Sequence, residues 1–379
     1  MAGRGKKQWA RAAICATALV TPLAVGGCAS QAGGAGPLGA GKSSTAAGES
    51  AGAGTGDGSV PESAASSSGG AKPSDAKASA SASSKGGAAS GDSIPGLTLS
   101  GADDTKILIN GKAVDFGMPV YDHTWSPDGK KVAFIDDKSN LWVANADGSG
   151  KTEVAKNTTE DKWAHPTWQV AKADPQSGVG AKNNLIFYST AGNDTLWTVP
   201  ATAKNGKPQL LSLGAYAEDG AVPPPKDGNM WPSAAGQFGS SVYQHDNGKD
   251  FDIYVRDDYL RQQGDLAFQH GEQPDLVMVG GSATTDPDPE VVFLREVGGS
   301  QHVFLVSLRA SDGGSGSLPK AKDLTPDLKT GAATPALSPD GKTVVYSSES
   351  GVYAISVDGS WKPKKLMDGP GLPVFRPGS

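Results

Sequence analysis

The sequence predicts an all-β fold: a β-propeller, most simply of six four-stranded blades, preceded by a disordered tether. Three observations predict it. Short apolar strands recur in a constant order, two of the copies share a Ser-Pro-Asp-Gly turn, and no aromatic residue occurs between Trp9 and Phe116. A foldable region therefore begins near residue 96, and its pattern is that of repeated hairpins.

The amino end, residues 1–27, reads as a secretory signal. Arg4, Lys6, Lys7 and Arg11 form a basic region, Ala12 to Val25 an apolar core of 14 residues, and Gly26 and Gly27 follow. The apolar run is too short to span a bilayer comfortably. Its ending, Val25-Gly26-Gly27-Cys28, resembles the lipobox of bacterial lipoproteins. That resemblance implies cleavage after Gly27, lipidation of Cys28, and a protein anchored on the extracytoplasmic face of the cell membrane. The other cysteine, Cys15, lies inside the signal, so no disulfide is expected in the mature chain. Losing the leader removes four positive charges and no negative one from a net −6, leaving −10. Such an acidic chain lacks the basic footprint of a nucleic-acid binder.

Residues 28–95 are almost entirely Ala, Gly and Ser with scattered charges. Too little apolar surface is present to offset the entropy of ordering them. A random coil of this length spans about 40–50 Å on average and holds the folded region away from the membrane. Within it, Gly36-Pro37-Leu38-Gly39-Ala40-Gly41-Lys42-Ser43 matches the phosphate-binding loop pattern. That loop needs a strand before it and a helix after it, and neither flank supplies one, so no nucleotide is expected at Gly36–Ser43.

Residues 96–379 carry the repeats. His123 to Phe134 and Pro335 to Tyr346 each read as a short strand, a turn and an apolar strand, with turns Ser126-Pro127-Asp128-Gly129 and Ser338-Pro339-Asp340-Gly341. Proline presets φ, aspartate caps the bend, and glycine supplies the permissive backbone, so the role of these eight residues is structural. Further opening strands appear at Pro166-Thr167-Trp168, Pro232-Ser233-Ala234, Pro274-Asp275-Leu276 and Pro373-Val374-Phe375. Second and third strands follow five of the six, as in Leu185 to Tyr188 with Leu196 to Val199, and Gln209-Leu210-Leu211 is a short fourth. The sixth copy stops after one strand. Leu97 to Ser100, Thr105 to Ile109 and Lys112 to Phe116 precede the first copy and need a sheet, so strands from both ends are expected to close the ring. Five or seven blades are the alternatives.

Ser-Pro-Asp-Gly-Lys before an apolar strand, an aromatic-containing strand, and an Asp-Gly turn (Asp147-Gly148, Asp358-Gly359) together resemble the TolB-type, WD40-like β-propeller repeat. The likeness is strong in the first and fifth copies. The second to fourth copies follow it by pattern alone, since they lack the Ser-Pro-Asp-Gly turn. The resemblance implies protein–protein contact at the cell envelope. It does not bring the TolB role with it, because residues 28–95 are too poor in apolar residues to form the α/β domain that precedes that propeller. The repeat also resembles the propeller of the prolyl oligopeptidase family, but the chain ends after the last blade and no hydrolase domain is expected.

Catalytic candidates are sparse. His123 beside Asp122 could form an acid–base pair, but His123 occupies a slot that is proline in other copies, which favours a structural role. His165, His245, His270 and His302 fall in separate copies without metal-ligand spacing, so no metal is expected. Asp286-Pro287-Asp288-Pro289-Glu290 is a dense acidic run without the glycine of a calcium loop and reads as a solvated extended loop. Trp125, Trp142, Trp168 and Trp197 fall in register to pack between blades. Trp163, Trp231 and Trp361 fall at or beyond strand ends, where they would cover the core or form a recognition patch. The expected function is a non-catalytic binding or protein-interaction module without cofactor, acting on an envelope protein partner. The alternatives are a solute- or glycan-binding lipoprotein, and an enzyme of the glycosidase or lyase type at the channel mouth.

Overall fold

A computed structural model of the chain describes residues 94–101, 104–175, 180–214, 223–257, 263–281, 286–309 and 320–378. The signal, Gly27, Cys28, the tether and the Gly36–Ser43 match lie outside the described residues.

Twenty-four strands form six four-stranded antiparallel sheets among these residues. The first three strands, β1 (Leu97–Ser100), β2 (Lys106–Ile109) and β3 (Lys112–Asp115), belong to the closing blade. Blade 1 holds β4 (Tyr121–Trp125), β5 (Lys131–Ile135), β6 (Leu141–Asn145) and β7 (Thr152–Ala155). Blade 2 holds β8 (Trp163–Ala171), β9 (Lys182–Ser189), β10 (Thr195–Pro200) and β11 (Gln209–Leu210). Blade 3 holds β12 (Asn229–Ala234), β13 (Ser241–Asp246), β14 (Phe251–Asp257) and β15 (Gln263–Gln269). Blade 4 holds β16 (Glu272–Val279), β17 (Asp288–Val297), β18 (Ser300–Ser307) and β19 (Lys322–Asp323). Blade 5 holds β20 (Ala333–Leu337), β21 (Thr343–Ser348), β22 (Gly351–Ser356) and β23 (Lys364–Asp368). The last strand, β24 (Leu372–Phe375), pairs with β1, so the sixth sheet runs β24-β1-β2-β3. The expectation of six blades closed by both ends is met.

Packing explains why the second strands are continuous apolar runs. Successive side chains of a strand point to opposite faces, and each blade is covered on both. In β17, Val291 and Phe293 enter the cluster shared with blade 3, while Val292 and Leu294 enter the one shared with blade 5. In β5, Ala133 and Ile135 face blade 2 while Val132 and Phe134 face the closing blade. Both faces are dry, so alternation of apolar with polar residues disappears. Trp125 and Trp168 are buried in these seams as expected, with Trp142 and Trp197 half-buried against them.

The Ser-Pro-Asp-Gly turns fold as their chemistry predicts. Gly129 N–H donates to Ser126 O and Gly341 N–H to Ser338 O, while each serine hydroxyl donates to the aspartate two residues on, at 2.6 Å. These bonds hold the Asp128 and Asp340 carboxyls below the usual range, the serine hydrogen bond being the main cause. The glycines have a second reason to be glycine. At Gly129 (φ 65°) a Cβ would sit 2.2 Å from Pro377 O, and at Gly341 (φ 71°) one would sit 2.7 Å from Val279 of blade 4. Each turn therefore docks on the neighbouring blade.

Two expectations are corrected. Asp288, Pro289 and Glu290 are not a solvated loop but the start of β17, with Asp288 ion-paired to Arg309. Pro289 fits there because an extended strand suits its φ and the opening of a strand is where a missing ladder donor is tolerated. Trp231 lies within β12 rather than at or beyond a strand end. Of the other two, Trp163 opens β8 and packs on Phe187 in the seam between blades 1 and 2, and Trp361 is exposed.

Candidate functional site

The innermost strands β4, β8, β12, β16, β20 and β24 line an axial cavity of about 600 Å³. Five of them share a departure from regular geometry. Their pairing with the second strand shifts register between Tyr121 and Thr124, Ala164 and Thr167, Met230 and Ser233, Glu272 and Asp275, and Ala333 and Ala336. Inside each shift stands one non-glycine residue in the left-handed region: Asp122 (φ 50°), His165 (50°), Trp231 (54°), Gln273 (50°) and Thr334 (47°). Proline follows the last four, and His123 follows the first. A bulge on a sheet's inner edge is where proline is tolerated, since no ladder hydrogen bond is lost. The recurrent proline of the opening strands is explained by that position.

The left-handed backbone is unfavourable for a side-chain-bearing residue, and here it is supported by hydrogen bonds between blades. His165 N–H donates to Asp122 Oδ2 at 3.4 Å, Gln273 N–H to Gln244 Oε1 at 2.8 Å, and Thr334 N–H to Gln273 Oε1 at 2.7 Å. A second belt runs a few residues on. Ala234 N–H donates to Thr167 Oγ1, Leu276 N–H to Ser233 Oγ, and Leu337 N–H to Asp275 Oδ2, at 2.9, 2.9 and 3.0 Å. Apart from Gln244, which belongs to β13, side chains of one inner strand thus satisfy backbone donors of the next, which makes the cavity wall a set of mutually determined positions.

At the end where the inner strands begin, Asp122, His165, Trp231 and Thr334 line the cavity. The His165 and Trp231 rings lie 3.6 Å apart centroid to centroid, tilted by 30°. His165 Nδ1 stands 3.6 Å from Asp122 Oδ2, too long for a hydrogen bond but close enough for attraction if the ring is charged. Burial lowers the His165 pKa, and Asp122 opposes that shift only in part. Asp122 therefore pairs with His165 of the next blade, 43 residues away in sequence, rather than with His123 beside it.

His123 is buried, and its role is structural. The single hydroxyl hydrogen of Thr98 goes to Val374 O at 2.8 Å, so Thr98 Oγ1 accepts from Trp125 Nε1 and from His123 Nε2. The proton is thereby assigned to Nε2, and Nδ1 accepts from Ser100 Oγ at 3.2 Å. Burial pushes this imidazole down to about 3, so it is neutral at pH 7. His123 ties blade 1 to β1 of the closing blade.

Asp275 is the second carboxylate of the cavity wall. Burial raises it to about 6, against the hydrogen bonds from Leu337 N–H and Ser233 Oγ. The remaining histidines are dispersed: His245 meets Asn229, His270 pairs with Asp250, and buried His302 meets Asp323 at 2.9 Å. Among the described residues no group of three or more His, Cys, Asp and Glu is placed to hold a metal.

No protein family and no curated protein matches the chain. Several solved structures are similar to it in architecture. A structure assigned as TolB from Agrobacterium tumefaciens is 17% identical over 73% of this chain and 90% of that one, with a TM-score of 0.47. A nidogen/laminin complex matches at 12% identity over 74% of this chain and 97% of that one, at 0.48. An oligogalacturonate lyase in complex with manganese matches at 13%, covering 69% and 70%, at 0.38. At such identities and scores these likenesses carry no argument about function. The six-bladed architecture stands on the strand pairing itself, and the TolB-like repeat on its two Ser-Pro-Asp-Gly blades.

Proposed function

We propose that the protein is a lipid-anchored, extracytoplasmic binding module, without catalysis of its own, that holds a segment of an envelope protein partner at its axial cavity. The observation that carries this reading is the cavity end at Asp122, His165, Trp231 and Thr334. It combines a concave wall, an aromatic stack and a few convergent polar groups, in a volume within the range of ligand sites. Cross-blade hydrogen bonds from the His165 and Thr334 backbones hold two of these positions before any ligand arrives, which lowers the ordering cost of binding. Support for a non-catalytic role comes from Asp275, buried and bonded to Leu337 N–H and Ser233 Oγ, and from His123, held neutral in a structural latch. The anchor rests on Val25-Gly26-Gly27-Cys28.

Photocrosslinking in cells tests the site. A photoreactive residue in place of Trp231 should capture a discrete envelope protein, and one in place of Gln209, exposed on the outer strand β11, should not. Identical adducts at both positions, or none at Trp231, would overturn the reading. So would release of reducing ends from polyuronate by the purified protein, because the protein would then be catalytic. The Cys28→Ser variant should leave the membrane fraction; retention there would remove the anchor.

A further inference from the structure

We infer that the cavity receives a cationic side chain, that of an arginine or lysine in an extended peptide segment, with its charge at Asp122 and its body against Trp231. This rests on the binding-module reading above and specifies the ligand's chemistry.

The first argument is charge. Among the described residues the cavity wall carries two carboxylates, Asp122 and Asp275, and no lysine or arginine. Arg376, beside the lining residues Phe375 and Pro377, is committed to Gly129 O and to the ring of Trp125. The histidines on the wall do not offset the carboxylates. His123 has both ring nitrogens committed to Thr98 and Ser100, and burial lowers the affinity of both His123 and His165 for a proton. An anionic ligand would enter a partly desolvated space with no counter-charge, which is strongly unfavourable. A cation finds a carboxylate whose side chain is 25% exposed and is only loosely engaged, at 3.4 and 3.6 Å, by His165.

The second argument is shape. Trp231 is half-buried and lines the cavity, and His165 covers part of its ring system. Tryptophan is the aromatic residue that attracts cations best, and a guanidinium or the methylene stem of lysine packs on such a ring. Asp122 approaches a nitrogen of the same imidazole that the indole stacks on, so carboxylate, imidazole and indole are neighbours along the cavity wall. Together they recognise charge and flatness. A bare divalent cation fits less well, because no three metal-ligating side chains converge among the described residues.

Selection of random heptapeptides displayed on phage against the full-length protein tests the inference, with EDTA present. Enriched peptides should carry arginine or lysine. Replacing that residue by citrulline or norleucine, and separately making Asp122→Asn, should each weaken binding at least about tenfold, the loss expected for a charge-assisted hydrogen bond. Asp122→Asn is isosteric, so its circular dichroism and melting should match the parent; Trp231→Phe provides a second, mild probe of the ring. Enrichment of neutral or acidic peptides that lose affinity on Trp231→Phe would overturn the charge inference and leave the cavity reading standing. Enrichment insensitive to both variants, or no enrichment, would overturn both. Binding that appears only when calcium or manganese replaces EDTA would also overturn the inference, because the metal then meets the carboxylate.

Discussion

The seam between the closing blade and blade 1 and the seam between blades 4 and 5 solve one packing problem with different chemistry. At both, an apolar cluster lies between blades, a Ser-Pro-Asp-Gly turn docks on the neighbour, and a polar side chain of an inner strand bonds the neighbouring blade. The seam between blades 4 and 5 joins blades that are each built from one continuous stretch of chain, and it uses a carboxylate, Asp275, which accepts from Leu337 N–H. In the closing blade the inner strand β24 and its partner β1 come from opposite ends of the folded region. Here the bridge is a neutral imidazole, His123, inside a network of Thr98, Ser100, Trp125 and Val374. Arg376 adds to it, donating to Gly129 O at 2.6 Å and stacking on Trp125. Where no short connection holds two neighbouring strands together, more side-chain bonds gather around the junction.

The largest effect should come from removing residues 370–379. Without β24 the inner edge of β1 is unpaired and Val374 and Phe375 leave their clusters. We expect the melting temperature to fall by more than about 10 °C or cooperative unfolding to vanish. An unchanged calorimetric transition would show that the closing strand adds little.

The glycines of the two turns sharpen the comparison. Gly129→Ala should cost about 3 kcal/mol, since its new Cβ meets the backbone oxygen of Pro377, whereas Gly341→Ala should cost about half of that, because the Val279 side chain can turn away. Urea midpoints read the difference. Equal losses would mean that the left-handed φ, common to both, sets the cost and the contacts do not.

The two seams should also respond to pH with opposite sign. The folded pKa of His123 lies below its unfolded value, so its contribution is complete above about pH 6.5 and is lost as pH falls toward 3. His123→Gln should destabilise by on the order of 2 kcal/mol at pH 7, and its gap from the parent should narrow in acid. Asp275 has a folded pKa above its unfolded value, so its charged form is disfavoured on folding and stability declines as pH rises from about 4 to 6. Asp275→Asn should therefore gain about 1–2 kcal/mol relative to the parent between pH 4 and pH 7. Parallel profiles for the two variants would refute the assignment of one titrating group to each seam.

The smallest effect belongs to the left-handed positions. Thr334 has φ 47° and its buried Oγ1 has no hydrogen-bond partner among the described residues, so Thr334→Gly should stabilise by up to about 1 kcal/mol. A loss in thermal unfolding would show that its methyl group contributes packing in the cavity wall.

The hairpins were legible because their signals are local. Ser126 to Gly129 and Ser338 to Gly341 carry their turn chemistry within four residues, and the two-sided burial of Val291 to Leu294 appears as an unbroken apolar run. Pro166, Pro232, Pro274 and Pro335 marked the inner strands correctly, but the residue before each was not recognisable as special. A residue preceding proline prefers an extended backbone, so nothing in the dipeptide His165-Pro166 or Trp231-Pro232 announces a left-handed bulge. That is why Trp231 was expected at or beyond a strand end and stands instead in the cavity wall. The recurrence of the pair in successive copies was the signal that could have found it.

The amino-acid sequence by itself pointed to the repeat, its two Ser-Pro-Asp-Gly turns and the sharing of the last blade between the two ends; the pairing of the strands fixed the count at six sheets among the described residues. Each blade is built from hairpins whose instructions span a few tens of residues, whereas the closing blade needs β1 to pair with β24 from the other end of the folded region. Only the tertiary structure decided which acid faces His165, where Trp231 stands, and that His123 is a neutral latch rather than half of an acid–base pair. Those outcomes depend on burial and on contacts between residues such as Thr98, His123 and Val374, and such contacts exist only once the ring has closed.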